Sequence, residues 1–269
     1  MKKTGLLFVL AFSALGLAWN NEFGVIPKTF QVQLSGNTVL YSNLYHDGDK
    51  ASLDETYLQL NLIPTIRVSP VRGIEFNFSY PFRSDEDMKD ATGFWGPILG
   101  IKYGSPSSAG FLNFVFPAGS KNLLGNGENP SPALIFGGTS FYGNWESFGI
   151  RLHSWYFWDF NEHSADELLF LIRPELNLGL IQIGLGFPFE WIFGNSSAWI
   201  SNTPGTVRAI GGGEDFEYVM VFSIQPKAVI DLGKIKVEPY FSIPLWKYTS
   251  KHAFMYYSFT LGVDAKLNF

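Results

Sequence analysis

The sequence contains no cysteine, which excludes both a disulfide framework and a lipid anchor on an amino-terminal cysteine. Beyond the amino terminus, no uncharged apolar run approaches the roughly 18 residues of a membrane-spanning helix. Lys and Arg number 19 against 24 Asp and Glu, and this acidic balance argues against a nucleic-acid partner, which binds a basic surface. Aromatic residues, in contrast, make up 17% of a chain that is 46% hydrophobic. The hydrophobic residues must therefore be spread thinly along the chain.

The amino terminus has the three parts of a secretory signal peptide over residues 1–18. A basic start with two lysines precedes an apolar run, and small residues precede a cleavage point after Ala18. Removal of this segment leaves 19 − 2 = 17 basic residues against 24 acidic ones, a net charge of −7. We expect a short periplasmic segment over 19–28 and a single folded domain over 29–269.

Apolar and polar residues alternate strictly along the end of the chain, "MYYSFTLGVDAKLNF" (Met255 to Phe269). Such alternation indicates a β-strand, because successive side chains leave a strand on opposite faces. A membrane-spanning strand needs roughly 9–11 residues within hydrocarbon, and this stretch is long enough. Twelve segments can be read as strands, at about 29–42, 54–69, 72–83, 92–104, 108–118, 131–143, 145–160, 166–178, 180–192, 215–230, 234–246 and 254–269. We predict an all-β fold, a transmembrane antiparallel up-and-down barrel of about 12 strands.

The connections between these segments favour the barrel over a long-stranded sandwich in a secreted soluble protein. The odd-numbered connections contain about 11, 8, 12, 5, 22 and 7 residues, whereas the even-numbered ones contain about one to three. An up-and-down barrel with loops on one rim and turns on the other shows this alternation, and a Greek-key sandwich does not. An even strand count places both termini on the periplasmic rim. A turn at Gly36-Asn37 would split the first strand and make the count odd.

The sequence carries two resemblances to known families. The terminal Phe269, on the apolar face of its strand, resembles the carboxy-terminal signal of bacterial outer-membrane barrels. The stretches "GFWGPILGIKYG" (Gly93 to Gly104) and "FLNFVFPAGSKNLLGNG" (Phe111 to Gly127) resemble the phenol meta-pathway "transporter" family, although Pro97 stands where that family commonly has Asp. The first resemblance implies the outer membrane of a diderm bacterium, with outer-membrane lipid and the barrel-insertion machinery as partners. The second implies uptake of small hydrophobic or aromatic solutes.

The polar faces of the strands would line the lumen and carry charge. A charged constriction could select solutes, and the alternative is a structural network that braces a narrow lumen. Mixed signs predict weak ion selectivity. Hairpin geometry predicts the opposite pairs Asp231–Lys234, Lys227–Glu238, Lys236–Asp264, Arg151–Glu175 and His153–Arg173. The candidate lumen residues are Arg67, Lys102, Arg151, Arg173, Glu175, Glu190, Lys227, Lys236, Glu238 and Asp264.

Aromatic side chains at inward positions are candidates for stacking against a solute, with girdle or packing roles as the alternative. They are Tyr57, Trp155, Phe157 and Tyr240. Four histidines raise the alternative of a membrane hydrolase, but no family signature supports an enzyme, and we expect no cofactor and no metal site. The sequence therefore predicts a channel for passive diffusion of small solutes. The rival is a plugged barrel that acts through its outer loops, the longest of which, 193–214, is either a gating flap or a mobile surface loop.

Overall fold

The computed structural model describes residues 25–26, 30–47, 49–86, 92–118, 131–161, 163–194, 199–201, 208–212, 217–256 and 259–269. The predicted signal peptide lies outside these residues, as does most of the second half of the segment Phe111 to Gly127. No helix in the described part of the chain is long and apolar enough to cross a membrane. The described chain consists of strands and their connections.

Seventeen strands form one continuous sheet within the described residues. They are β1 (Phe30–His46), β2 (Asp49–Val71), β3 (Ile74–Ser79), β4 (Phe82–Asp85), β5 (Gly93–Phe94), β6 (Ile98–Gly104), β7 (Ser108–Val115), β8 (Ala133–Gly143), β9 (Phe148–Asp159), β10 (Ala165–Asn177), β11 (Ile181–Gly194), β12 (Trp199–Ile200), β13 (Arg208–Gly211), β14 (Tyr218–Asp231), β15 (Ile235–Thr249), β16 (Ala253–Tyr256) and β17 (Phe259–Asn268).

These strands build a closed barrel of twelve. Three of its members are each divided into two pieces, β3 with β4, β5 with β6, and β16 with β17, while β12 and β13 form a separate short hairpin. Neighbours along the chain pair antiparallel, and β1 pairs with β2 on one side and with β17 on the other. The predicted all-β, antiparallel, twelve-stranded barrel is confirmed.

Burial alternates along the barrel strands as the sequence pattern predicts. On β2, Ile66 is 44% exposed and its neighbour Arg67 only 2%; on β3, Phe76 is 49% exposed and Glu75 is fully buried. Inverted burial of this kind, with apolar side chains outside and ionisable ones inside, is unstable in water. It is the arrangement of a barrel whose exterior meets hydrocarbon.

The first hairpin differs from the prediction. The expected connection of about 11 residues is wrong, because β1 continues to His46 and β2 begins at Asp49. The backbone reverses at Asp47, which adopts the left-handed conformation (φ 44°) that Asp tolerates in tight turns. Gly36 and Asn37 lie within β1, opposite β17 and β2, and make no turn. The first hairpin therefore continues as paired strands on the outward side of the barrel, which is the side of the long connections.

The remaining connections follow the predicted long–short alternation in part. The second to fifth odd-numbered connections contain 7, 17, 5 and 23 residues, whereas the first and last contain 2 and 3. The even-numbered ones contain 2, 3, 4, 3 and 3 residues. Within the longest connection, β13 pairs with β16, so the described part of the expected flap belongs to the sheet at the outward rim.

Two residues of the predicted periplasmic segment lie inside the barrel end. Val25 and Ile26 are buried at 3% and 6% exposure. The Val25 amide donates to the carbonyl oxygen of Ser105 at 3.0 Å, and the Ile26 amide donates to Oε2 of Glu75 at 2.9 Å. Because Ser105 belongs to one of the short turns, this part of the segment closes over the barrel mouth on the side of those turns.

A close approach between β8 and β9 depends on Gly137. A Cβ atom there would overlap the carbonyl oxygen of Ser154 and lie 2.7 Å from Cα of Trp155, both backbone atoms. We expect Gly137→Ala to lower the free energy of unfolding by about 2 kcal/mol, in the range of overpacked cores. Urea unfolding in detergent measures it. The control is Gly110→Ala on β7, where a Cβ atom would meet its nearest neighbour at 3.8 Å. Equal losses of unfolding free energy in the two variants would contradict a special requirement for glycine at position 137.

Candidate functional site

Ten ionisable side chains form a belt around the inner wall, near the short turns of the even-numbered connections. Each is at most 5% exposed. They lie on eight of the twelve barrel strands, because the polar face of each strand points inward at this level. The charged belt consists of Arg67, Glu75, Lys102, Arg151, Arg173, Glu175, Lys227, Glu238, Asp264 and Lys266.

The first part of the belt is the Arg67 triad, formed by Arg67, Glu75 and Lys102. The guanidinium of Arg67 holds Glu75 with two hydrogen bonds of 2.8 Å, from Nε and Nη2. Lys102 lies directly opposite Glu75 in the ladder, with its Nζ 3.6 Å from Oε1. Arg67 also donates from Nη1 to Gln31 at 2.7 Å. The Glu75 carboxylate therefore forms ion pairs with two cations.

The Arg151 triad, formed by Arg151, Arg173 and Glu175, repeats this arrangement across the lumen wall. Glu175 accepts from Nε of Arg151 at 2.8 Å and from Nε of Arg173 at 2.9 Å. Gly184 on β11 leaves room for the pair, since a Cβ atom there would lie 2.9 Å from Cδ of Arg173. Gln182 donates to the other carboxylate oxygen at 2.6 Å. Here too a single carboxylate lies between two cations.

The third part is a tetrad of Lys227, Glu238, Asp264 and Lys266. The Glu238 carboxylate lies between Nζ of Lys227 at 3.0 Å and Nζ of Lys266 at 2.6 Å. Nζ of Lys227 also lies 3.5 Å from Oδ2 of Asp264. Two cations meet two carboxylates, so the tetrad is balanced in formal charge.

The predicted opposite pairs on β9 and β10 are wrong by two residues. Arg151 lies opposite Arg173, and His153 lies opposite Leu171. A shift of two residues retains the face on which a side chain lies, because strand side chains alternate with period two. Glu175 is therefore still inward, and it reaches Arg151 diagonally.

The same error affects the pairs predicted around β15. Its turn reverses through Gly233 (φ 83°) and brings Asp231 opposite Lys236, where Lys234 was expected. The backbone partner of Lys227 is Tyr240. On the other side, Asp264 lies opposite Glu238, not Lys236.

Two predicted lumen residues lie outside the belt. Lys236 is at the rim of the short turns, paired with Asp231 at 2.6 Å, and both side chains are more than a third exposed. Glu190 is partly buried on β11, opposite Val221 and Leu169 and nearer the outward rim. Conversely, the prediction omitted Glu75 and Lys266, although the alternation of their strands places both on the polar face.

The predicted stacking residues fall into different surroundings. Trp155 and Phe157 are buried in an apolar layer on the outward side of the belt, with Trp95 and Phe111. Tyr240 lies at the belt, where Nζ of Lys227 is 5.9 Å from its ring centroid. Tyr57 packs on a second apolar cluster, built around Val39, Tyr41 and Met255. The structure therefore brings Trp155 and Phe157 together and separates them from the two tyrosines.

A cavity of about 620 Å³ lies between the belt and the barrel mouth on the side of the short turns. The belt contributes Arg67, Glu238 and Lys266 to its wall, and the amino-terminal segment contributes Val25 and Ile26. Pockets that hold small molecules have volumes of about 300–1,000 Å³. The belt therefore adjoins a space of solute size.

The shared carboxylates make the triads sensitive to charge removal. We expect Glu75→Ala to lower the free energy of unfolding by roughly 3–5 kcal/mol, because Arg67 and Lys102 would remain buried without their counter-charge. The matched control is Asp231→Ala, which breaks a pair exposed to solvent and changes stability by less than about 1 kcal/mol. Urea unfolding in lipid vesicles measures both. Equal, small effects would show that the belt charges are hydrated and not buried.

Comparison with solved structures identifies a similar fold. The COG4313 outer membrane channel from Pseudomonas putida F1 is 12% identical, with a TM-score of 0.67 over 94% of this chain and 100% of that chain. The CymD monoaromatic hydrocarbon channel (8% identical, 91% and 89% covered) and a triple mutant of the Rhodopseudomonas blastica porin (10%, 90% and 99%) give TM-scores of only 0.45 and 0.28. No protein-family model and no curated protein sequence matches the chain. The first likeness shows that this chain shares the fold of an outer-membrane channel.

Proposed function

We propose that this protein is an outer-membrane channel through which small solutes diffuse passively. The observation that carries the proposal is the closed barrel with an apolar exterior and a charged interior. Only closed barrels and helices satisfy every backbone group in hydrocarbon. An apolar outer surface and a lumen lined by ionisable side chains are what a protein needs to hold a polar passage open across a lipid membrane. The likeness to the P. putida channel supports the same reading at the level of the fold.

The proposed location is the outer membrane of a diderm bacterium, reached through the signal peptide of residues 1–18. The terminal residue supports assembly there. Phe269 lies at the closing seam, where its amide donates to the carbonyl oxygen of Phe30 at 3.1 Å and the two rings are 5.4 Å apart. The insertion machinery and outer-membrane lipid are the proposed partners, and the acidic balance of the chain supports no role for nucleic acid.

The proposed solutes are small hydrophobic or aromatic compounds, the class implied by the resemblance of Gly93 to Gly104 and Phe111 to Gly127 to the phenol meta-pathway transporters. The apolar layer around Trp155 and Phe157 supports this class, because aromatic side chains bind apolar ring systems by stacking. The belt residues would then set which solutes pass the charged level of the lumen.

A plugged barrel is the second candidate, and one observation favours it. The belt, the apolar layer and the segment Val25–Ile26 occupy the lumen at successive levels, and their side chains are almost entirely buried. A plugged barrel would act through its outer loops, such as the connection that contains β12 and β13. The hydrolase has less support: His46 contacts the carbonyl oxygen of Ala253 at 3.2 Å, and His153 stacks on Phe111. Neither contact supplies a nucleophile.

Planar-bilayer recordings of the mature, detergent-purified protein test the channel. We expect discrete conductance steps, and Arg151→Ala raises the unitary conductance by about 1.5-fold or more, because the guanidinium occupies the lumen wall at the belt. Arg72→Ala, in an exposed periplasmic turn, serves as the control. Silence from protein whose heat-modifiable gel migration shows that it is folded would contradict the channel and favour the plugged barrel.

A further inference from the structure

The charged belt carries a surplus of positive formal charge. The Arg67 triad and the Arg151 triad each contain two cations and one carboxylate, and the tetrad contains two of each. Among the described belt residues this makes six cations against four carboxylates, all at most 5% exposed. The mature chain as a whole is acidic, so the surplus is a local property of the lumen.

Burying charge at this level costs free energy. Each ion loses its hydration, and its attraction to a partner recovers that loss only when the pairing is complete. Ionisable groups within a membrane-spanning region for this reason usually mark a path for ions or solutes. A bracing network needs only as many carboxylates as cations, which is the composition of the tetrad. The two surplus cations go beyond what bracing requires.

The shared carboxylates also favour exchange with an anion. In the Arg151 triad, an entering anion can take over one guanidinium while Glu175 keeps its bonds to the other. A cation entering the same triad competes with both arginines for a single carboxylate. The Arg67 triad has the same asymmetry, because Lys102 is held by Glu75 at 3.6 Å, farther than the 2.8 Å contacts of Arg67. Both triads therefore present cations to a passing solute more readily than carboxylates.

An apolar layer adjoins the belt on its outward side. Arg151, His153 and Trp155 follow one another on the inward face of β9, and the Phe111 ring lies 6.0 Å from that of His153. A solute with an apolar body and a negatively charged group would contact both layers at once. Benzoate, an aromatic ring that carries one carboxylate, has this chemistry.

We propose that the two triads make the belt an anion-selecting element, so that the channel prefers small organic anions with an apolar body. This inference rests on the proposed channel function. It replaces the weak selectivity expected from mixed signs. Carboxylates also occur nearer the outward rim, among them Asp85, Asp159 and Glu167. They provide the competing outcome, a preference for cations.

Reversal potentials in a salt gradient test the proposal. In KCl we expect a chloride-to-potassium permeability ratio above about 3, as charged rings produce in pores. Lys102→Met lowers the ratio towards unity, and Glu238→Gln, which removes a carboxylate from the tetrad, raises it. Lys102→Arg keeps the charge and preserves the ratio. Lys234→Gln, in the exposed turn between β14 and β15, is the control for a charge outside the belt.

Organic ions extend the test to the solute class. With benzoate and benzylammonium as the permeant ions, benzoate is expected to pass more readily by at least about threefold. Conductance steps with a cation preference, or with no response to either substitution, would overturn the anion filter while leaving the channel intact. The absence of steps from folded protein would remove the channel itself. Opposite shifts in Lys102→Met and Glu238→Gln separate selection from bracing, because loss of bracing would change both variants in the same direction.

Discussion

The pairing of β1 with β17 is the constraint on which the rest of the structure depends. Ten successive residue pairs join these strands, from Gln31 opposite Asn268 to Leu40 opposite Phe259. In hydrocarbon an unpaired backbone group costs several kcal/mol, and an open sheet would expose two such edges. Side chains reinforce the seam: Nε2 of Gln31 donates to Oδ1 of Asn268 at 2.7 Å inside the barrel. The last residues of the chain therefore supply the backbone hydrogen-bond partners of the first strand and close the barrel.

Closure of the barrel also determines how closely the side chains are packed in the lumen. Alternation sends one residue in two to the lumen, and in a barrel of twelve strands the lumen lies between the filled interior of eight strands and the open channel of sixteen. Long charged side chains at one level must therefore contact one another. The Arg67 triad and the Arg151 triad follow from this crowding, and so does the need for Gly184, where a larger residue would displace Arg173. The same crowding places the buried carboxylates within reach of two cations.

The sequence predicts the faces of the strands well and their registers poorly. Alternation divides the residues of each strand between two faces, and the apolar face must be the one that meets lipid. Arg67, Lys102 and Asp264 lie on the other face and therefore point inward. Register depends on turn geometry, which depends on local conformations such as the left-handed Gly233. The two-residue turn lies one position later than expected, at Gly233-Lys234 instead of Leu232-Gly233, and this displacement shifts every pair by two. The contact of Lys227 with Glu238 survives that error, because both side chains are long enough to meet diagonally.

Other features have no periodic signal from which they could be predicted. Val25 and Ile26 enter the barrel end through hydrogen bonds from their backbone amides to the Ser105 carbonyl oxygen and the Glu75 carboxylate, which any residue type except proline could make. The first hairpin extends outward through residues that read as a polar loop, since strands beyond the hydrocarbon need no apolar face. The surplus charge of the belt is likewise invisible in composition, because the chain as a whole is acidic. It arises only when register and side-chain reach decide which carboxylate is shared.

The sharing of carboxylates between cations connects the two roles of the belt, which are to brace the wall and to select solutes. A matched ion pair braces a wall and resists opening, because separating it leaves two buried charges without partners. A carboxylate between two cations is different, since it remains paired when either cation turns to another anion. The tetrad can thus hold the wall of β14, β15 and β17 while the triads, on other strands, exchange partners with a solute. A lumen that is filled by its own side chains is for this reason still compatible with passage, provided that the solute offers the charge that the triads lack.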